Sequence, residues 1–352
     1  MTTTPTISAQ DESSAAGGSA PVTKGSLLRS ELHRFSARRF IRWLLLLSAV
    51  AYVIIITLVA VTQFSKPDAG VQEGAERRVA ALVEEQKGYW EQCVNDPARP
   101  ENIPVEECGD EPTAADFPLE QFIDQPPFDL ARKLPHGAIA VSVALAILAF
   151  LIGATYVGAE WSSRSMVALL FWEPRRLKVI GVKLAVTAAA AAALAVLSQA
   201  LWWATAEIIA RTRGNRDNLP DDFWPDLFGQ QARGVLFVVL IGLLGFGVAN
   251  LIRNTGASFG VGFVYFVIVE NAVREFRPGW QEWLLGNNAA ALLQTGGYKI
   301  YVYDQYVDEQ GSFVDGDREV LLSNLHGGLV IGIATLAIVV LGAVLFKRRD
   351  LH

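Results

Sequence analysis

The feature that most constrains this chain is a set of six long apolar blocks, each nearly free of charge. They run over residues 41–64, 137–158, 179–209, 234–252, 256–273 and 327–346. About 20 apolar residues in a helix cross the hydrocarbon core of a bilayer, and every block is close to that length or beyond it. Inside hydrocarbon the backbone must satisfy its own polar groups, which a helix does within one segment. The expected fold is therefore an all-α polytopic membrane protein with six transmembrane helices. Of the 352 residues, 51% are hydrophobic and 19% charged, which excludes a soluble enzyme and a disordered protein. Two cysteines are too few for a small disulfide scaffold or a metal cluster.

The flanks set the expected topology. Residues 1–25 are rich in Thr, Ser, Ala and Gly and read as a disordered cytoplasmic tail. Over residues 26–40, Leu28, Leu32 and Phe35 recur at helical spacing, with Arg29, Arg34, Arg38 and Arg39 between them. That pattern predicts an amphipathic elbow helix lying in the headgroup layer; the plainer reading is a basic flank of the first span. Fifteen of the 30 Lys and Arg residues fall on the side of the N-terminus. Seven of the others sit in the long segment 65–136, and long loops weigh little in orientation. Both ends are therefore expected in the cytoplasm (residues 347–352 as a short tail), in a cell or plasma membrane. Residues 65–136 then form a sizeable extracytoplasmic first loop.

That loop holds Cys93 and Cys108. Outside the cytoplasm a disulfide is permitted, and the pair is expected to bridge; two free thiols are the alternative. Residues 71–92 have a helical pattern, with Ala80, Leu82, Val83 and Tyr89-Trp90. Ionisable groups at span edges are costly and often functional. Lys183, one turn inside the third span, is expected to snorkel to the headgroups. Glu207 and Glu270, near outer span ends, are candidates for an outward-facing path; loop-paired interfacial carboxylates are the plainer reading. The span centres carry no charge, which argues against a proton- or sodium-driven carrier.

No Gly-x-x-x-x-Gly-Lys-Ser/Thr stretch and no His-Glu-x-x-His helix occurs. No catalytic, cofactor or metal residues are therefore assigned. Gly256-Ala257-Ser258-Phe259-Gly260 fits the hydrolase pattern Gly-x-Ser-x-Gly, but that elbow needs a preceding strand. The tight turn Arg253-Asn254-Thr255 stands there instead. Gly256 and Gly260 read as a small-residue face for helix packing, with Gly242, Gly245 and Gly247 as the facing surface.

The most informative segment lies between the second and third blocks. It reads Gly158-Ala159-Glu160-Trp161-Ser162-Ser163-Arg164-Ser165-Met166, then Phe171-Trp172-Glu173-Pro174-Arg175-Arg176-Leu177-Lys178. Its mixture of aromatic and charged residues suits a docking element better than a simple connector. This run resembles the ABC-2 type transporter permease family, especially its actinobacterial members. The basic elbow, the long first loop, the run Asn254–Gly260, Trp283–Ala290 and the ending Phe346-Lys347-Arg348-Arg349-Asp350 agree with it. The resemblance implies a permease subunit, itself without enzymatic activity, paired as a homodimer or with a second permease. It implies two copies of a soluble ATP-binding subunit, which would hold ATP and Mg. Glu160, Trp161, Arg164, Trp172, Glu173, Arg175 and Arg176 would then couple to that subunit, and short re-entrant helices would lie near Trp280–Leu293. No nucleic-acid partner is expected. A polytopic sensor or anchor with a ligand-binding outer loop is the alternative.

Overall fold

The computed structural model describes residues 24–66, 69–95, 108–216, 219–307 and 313–348. The expected tail 1–25, apart from its last two residues, lies outside this set, as do residues 349–352. Helix α1 (Lys24–Ala37) leads into the first span, α2 (Arg39–Gln63). Helix α3 (Ala69–Val94) stands in the long loop where a helical pattern was read. The second span is α4 (Leu130–Ser162), followed by the short α5 (Ser165–Trp172) and the third span, α6 (Arg176–Arg213). Helix α7 (Phe223–Ile252) is the fourth span. The fifth joins α8 (Thr255–Val264), a π-helical turn (Tyr265–Val269) and α9 (Glu270–Phe276). After α10 (Leu285–Leu293), α11 (Asn324–Arg348) closes the set. Six spans are long and apolar enough to cross a membrane, so the chain is a multi-pass membrane protein. Each of the six spanning helices starts before its apolar block, because a helix continues past the apolar run until something breaks it.

The centre of the bundle is the crossing of α4 and α7. A Cβ on Gly153 would lie 2.2 Å from the Gly242 carbonyl oxygen, and one on Gly245 would lie 2.4 Å from that of Phe150. Small residues bring the two backbones into contact, as membrane helix packing favours. Helix α6 flanks this pair, and α11 reaches α7 at Gly247, where a Cβ would lie 3.0 Å from Ile338 Cγ2. By contrast, Ile41 is the one buried residue of α2.

At the far end from α5, a parallel two-residue pair joins β1 (Phe128–Asp129) to β2 (Gly214–Asn215). The all-α expectation holds for the spans, but the loop after the fifth span departs from it. There β3 (Tyr298–Val307) and β4 (Phe313–Leu322) form an antiparallel hairpin, in register from Tyr298 opposite Leu322 to Val307 opposite Phe313. Ile300 and Val302, two residues apart, turn inward against Ala291 and Leu322. Such alternation dilutes local hydropathy, so a strand of this kind gives no long apolar run.

Candidate functional site

A buried ionic cluster joins α1, α4 and α6 at the end of the bundle that carries α5. Lys183 of α6 is fully buried, its Nζ 2.5 Å from Glu31 Oε2 and 2.8 Å from Glu160 Oε2. Glu31 projects from α1 and Glu160 from α4. Tyr156 Oη donates to Glu31 Oε2 at 2.6 Å. Arg38, between α1 and α2, donates through Nη2 to Glu160 Oε1 at 2.8 Å. The Lys183 ammonium and the Arg38 guanidinium lie 4.8 Å and 5.4 Å from the Tyr156 ring centroid. Local geometry explains the convergence: Tyr156 and Glu160, four apart, share one face of α4. The two buried carboxylates are balanced by Lys183 and Arg38, which is what lets these charges stay out of water. Arg34, 47% exposed, adds a longer contact of 3.4 Å to Glu31 Oε1 from the solvent side.

This geometry corrects two expectations. Lys183 does not snorkel: its ammonium is fully buried and held by the carboxylates of Glu31 and Glu160. Glu160 is buried and ion-paired in this chain, so it is not an exposed docking charge.

The segment after Glu160 folds as a compact insertion. Arg164, at φ 56°, reverses the chain between α4 and α5. Met166 and Leu169 of α5 turn inward, while Phe171 is 85% exposed. The other expected coupling residues divide. Trp161 packs into the bundle: its Nε1 donates to Asn250 Oδ1 at 3.3 Å and its ring meets Phe346 edge-on at 5.6 Å. Arg253, in left-handed backbone geometry at the end of α7, lays its guanidinium 4.2 Å from the Trp161 ring centroid. Arg176 Nη1 donates to the carbonyls of Phe346 (3.2 Å) and Lys347 (3.4 Å) at the end of α11. Trp172 ends α5, and Glu173 accepts from Lys178. The Lys178 hydrogen bond holds the Glu173 carboxyl below its usual range, against the opposing effect of desolvation. Arg164 and Arg175 are exposed. A groove of about 420 Å³ runs beside the insertion, lined by Arg34, Ala37, Arg38, Glu160, Ser165 and Ala168, among others.

The remaining expected residues lie elsewhere. Glu207 pairs with Arg211 (2.8 Å) and Arg216 (2.9 Å) at the far end of α6. Glu270 is buried; it accepts from the Gly286 N–H at 2.8 Å and pairs with Arg274 at 3.2 Å. Both carboxylates are tied to nearby groups, and the two are not brought together. Cys93 and Cys108 are joined by a disulfide. The expected packing of Gly256 and Gly260 needs correction. A Cβ on Gly260 would meet nothing within 4 Å, and one on Gly256 only Asn254 Oδ1. Gly242, Gly245 and Gly247 face α4 and α11 instead, and α8 meets α4 through Gly262 against the Phe150 ring. Ser258 Oγ donates to the Asn254 carbonyl at 2.6 Å on α8, with no strand before it, so no hydrolase elbow forms.

Sequence reasoning missed Glu31, Tyr156 and Asn250 as site residues. One signal for Glu31 was present: a lysine inside a span demands a partner, and Glu31 is the acidic residue of the elbow helix. The chain matches no protein-family model and no curated protein.

Proposed function

We propose that this chain is the membrane subunit of an ABC-2 type ATP-driven transporter, working as an exporter with a separate soluble ATP-binding subunit. The observation that supports this best is α5, a short helix set between two spans at the bundle end. Its exposed Phe171 is flanked in sequence by the exposed Arg164 and Arg175. A soluble partner can grip such an insertion. Behind it, Trp161 and the ionic cluster tie the end of α4 to α1, α6, α7 and α11, so a push on α5 is carried into the spans. The contact surface in this reading is Arg164, α5 with Trp172, Glu173 and Arg175, with Glu160, Trp161 and Arg176 as the backing. ATP and Mg belong to the partner, present in two copies.

In this reading the basic residues at this end support a cytoplasmic position beside a plasma membrane, with both chain ends inside. A second permease chain, identical or related, completes the path; the bare face of α2 and the open edge at Gly256 and Gly260 leave room for it. The test is affinity purification from the native membrane in mild detergent, with mass spectrometry of the co-purifying proteins. A stoichiometric soluble ATPase is expected. Its absence, even with ATP and cross-linker, shifts the reading to a sensor or anchor whose working part is the disulfide-closed loop around α3.

A further inference from the structure

Span α2 is held at few points. Ile41 is its one buried residue, and Leu46, Leu47, Val53, Ile54 and Leu58 are exposed along it. At its far end Phe64 packs edge-on against Phe128 at 5.0 Å, and Arg213 Nη1 donates to the Phe64 carbonyl at 3.0 Å. Midway, Tyr52 Oη donates to Thr205 Oγ1 at 3.0 Å. At the end nearest α5, Arg38 immediately precedes α2 and is bound to Glu160, while α1 carries Glu31 onto Lys183. Glu160 stands four residues before Arg164, where the chain reverses into α5. Any displacement of α5 therefore loads Glu160 early.

The chemistry of the cluster suits transmission. An apolar replacement of a buried ion pair often leaves stability unchanged or improves it, so stability alone does not explain the ions. What ions add is directionality. Each carboxylate is shared between groups on different elements, so moving one element alone would strand a charge in a dry interior. Helices α1, α4 and α6 must then move together, or the cluster must open as a unit. Arg38 marks where it opens. Its side chain is 21% exposed against 0–4% for Lys183, Glu31 and Glu160. Its buried Nε makes no hydrogen bond, and it lines the groove beside α5.

We infer that the cluster of Glu31, Lys183, Glu160 and Arg38 is the linkage that passes a displacement of α5 to α1 and α2. Lys183 is its positioning residue, holding both carboxylates in register. The source of the displacement rests on the coupling function proposed above; the linkage itself rests on the cluster.

Spin-label distances test both. The two native cysteines are bonded to each other, so introduced cysteines are the free thiols. Exposed pairs at Leu47 and Leu336 report α2 against α11, and pairs at Ala168 and Leu336 report α5 against α11, a helix outside the cluster. Distances are measured in nanodiscs on the complex with its ATPase, without nucleotide and trapped with ATP and vanadate. In the parent chain both distances shift on trapping. In Lys183→Met the α5 shift persists and the α2 shift is lost; Lys183→Arg restores it. An α2 shift that survives Lys183→Met overturns the linkage. Should that variant fail to fold, Glu31→Gln takes its place with the same expectation. If no ATPase joins the parent chain, the coupling function fails by itself. The linkage is then judged on the chain alone, labelled at Leu32 and Leu197. There Lys183→Met must broaden the distance distribution, and an unchanged width overturns the linkage.

Discussion

Gly286 lies directly under the carboxylate of Glu270. Its N–H donates to Glu270 Oε1 at 2.8 Å, and a Cβ at this position would stand 2.4 Å from Oε2. The missing side chain is what lets the start of α10 reach a buried acid on α9. Arg274, one turn along α9, closes the arrangement by contacting both Glu270 and Asn287 Oδ1.

Gly286→Ala is expected to push the carboxylate away and lower stability by about 1–3 kcal/mol, the usual cost of overpacking. Gly332→Ala, where a Cβ meets nothing within 4 Å, serves as the control. Thermal unfolding in detergent separates them; equal midpoints would show that Glu270 yields freely.

Tyr156→Phe removes one donor from Glu31 and leaves Lys183 in place. Hydrogen bonds to charged groups contribute about 1.5–3 kcal/mol, and a loss in that range is expected for this variant. Tyr303→Phe, on an exposed face of the hairpin, should leave the unfolding midpoint unchanged.

The disulfide closes a loop of 15 residues at the end of α3. Chain-entropy arguments assign such a closure roughly 3 kcal/mol. Cys93→Ser should therefore expose α3 to limited proteolysis at the same protease dose that spares the parent chain. The spans pack elsewhere and should remain resistant; their simultaneous digestion would mean that the loop supports the bundle.

The Glu173 carboxyl sits below its usual range because Lys178 hydrogen-bonds to it. A lowered folded-state value means that this contact stabilises the segment above the unfolded carboxyl pKa of about 4.3. The contribution fades as the pH falls through the folded-state value. In Lys178→Gln the midpoint of Glu173, followed by carboxyl NMR, should move up toward the ordinary value. High salt should produce part of the same rise in the parent chain, since the pair is exposed to solvent.

The spans were legible because each is a long uninterrupted apolar run, and length together with apolarity decides whether a helix crosses a bilayer; α3, equally long but polar, is not a span. The turn at Arg253 and the helix α3 were legible for similarly local reasons. The hairpin was not, because Ile300 and Val302 alternate with exposed tyrosines and bury one face only. The ionic cluster was half legible. Lys183 announced a cost, but its partners lie 152 and 23 positions away in sequence, at Glu31 and Glu160, and no periodicity connects them. The glycines taught the opposite lesson. The spacing of Gly256 and Gly260 imitates a packing face, yet the contacts that matter run through Gly153, Gly245 and Gly262, which share no such motif.

The touching backbones of α4 and α7 have a consequence for motion. With a carbonyl of one helix where the other has no side chain, at Gly153 and again at Gly245, neither helix can slide or roll without collision. The pair forms a keel. Any cycle the protein undergoes leaves these two helices fixed against each other, and change falls to the lighter parts hung around them: the first span and the fifth.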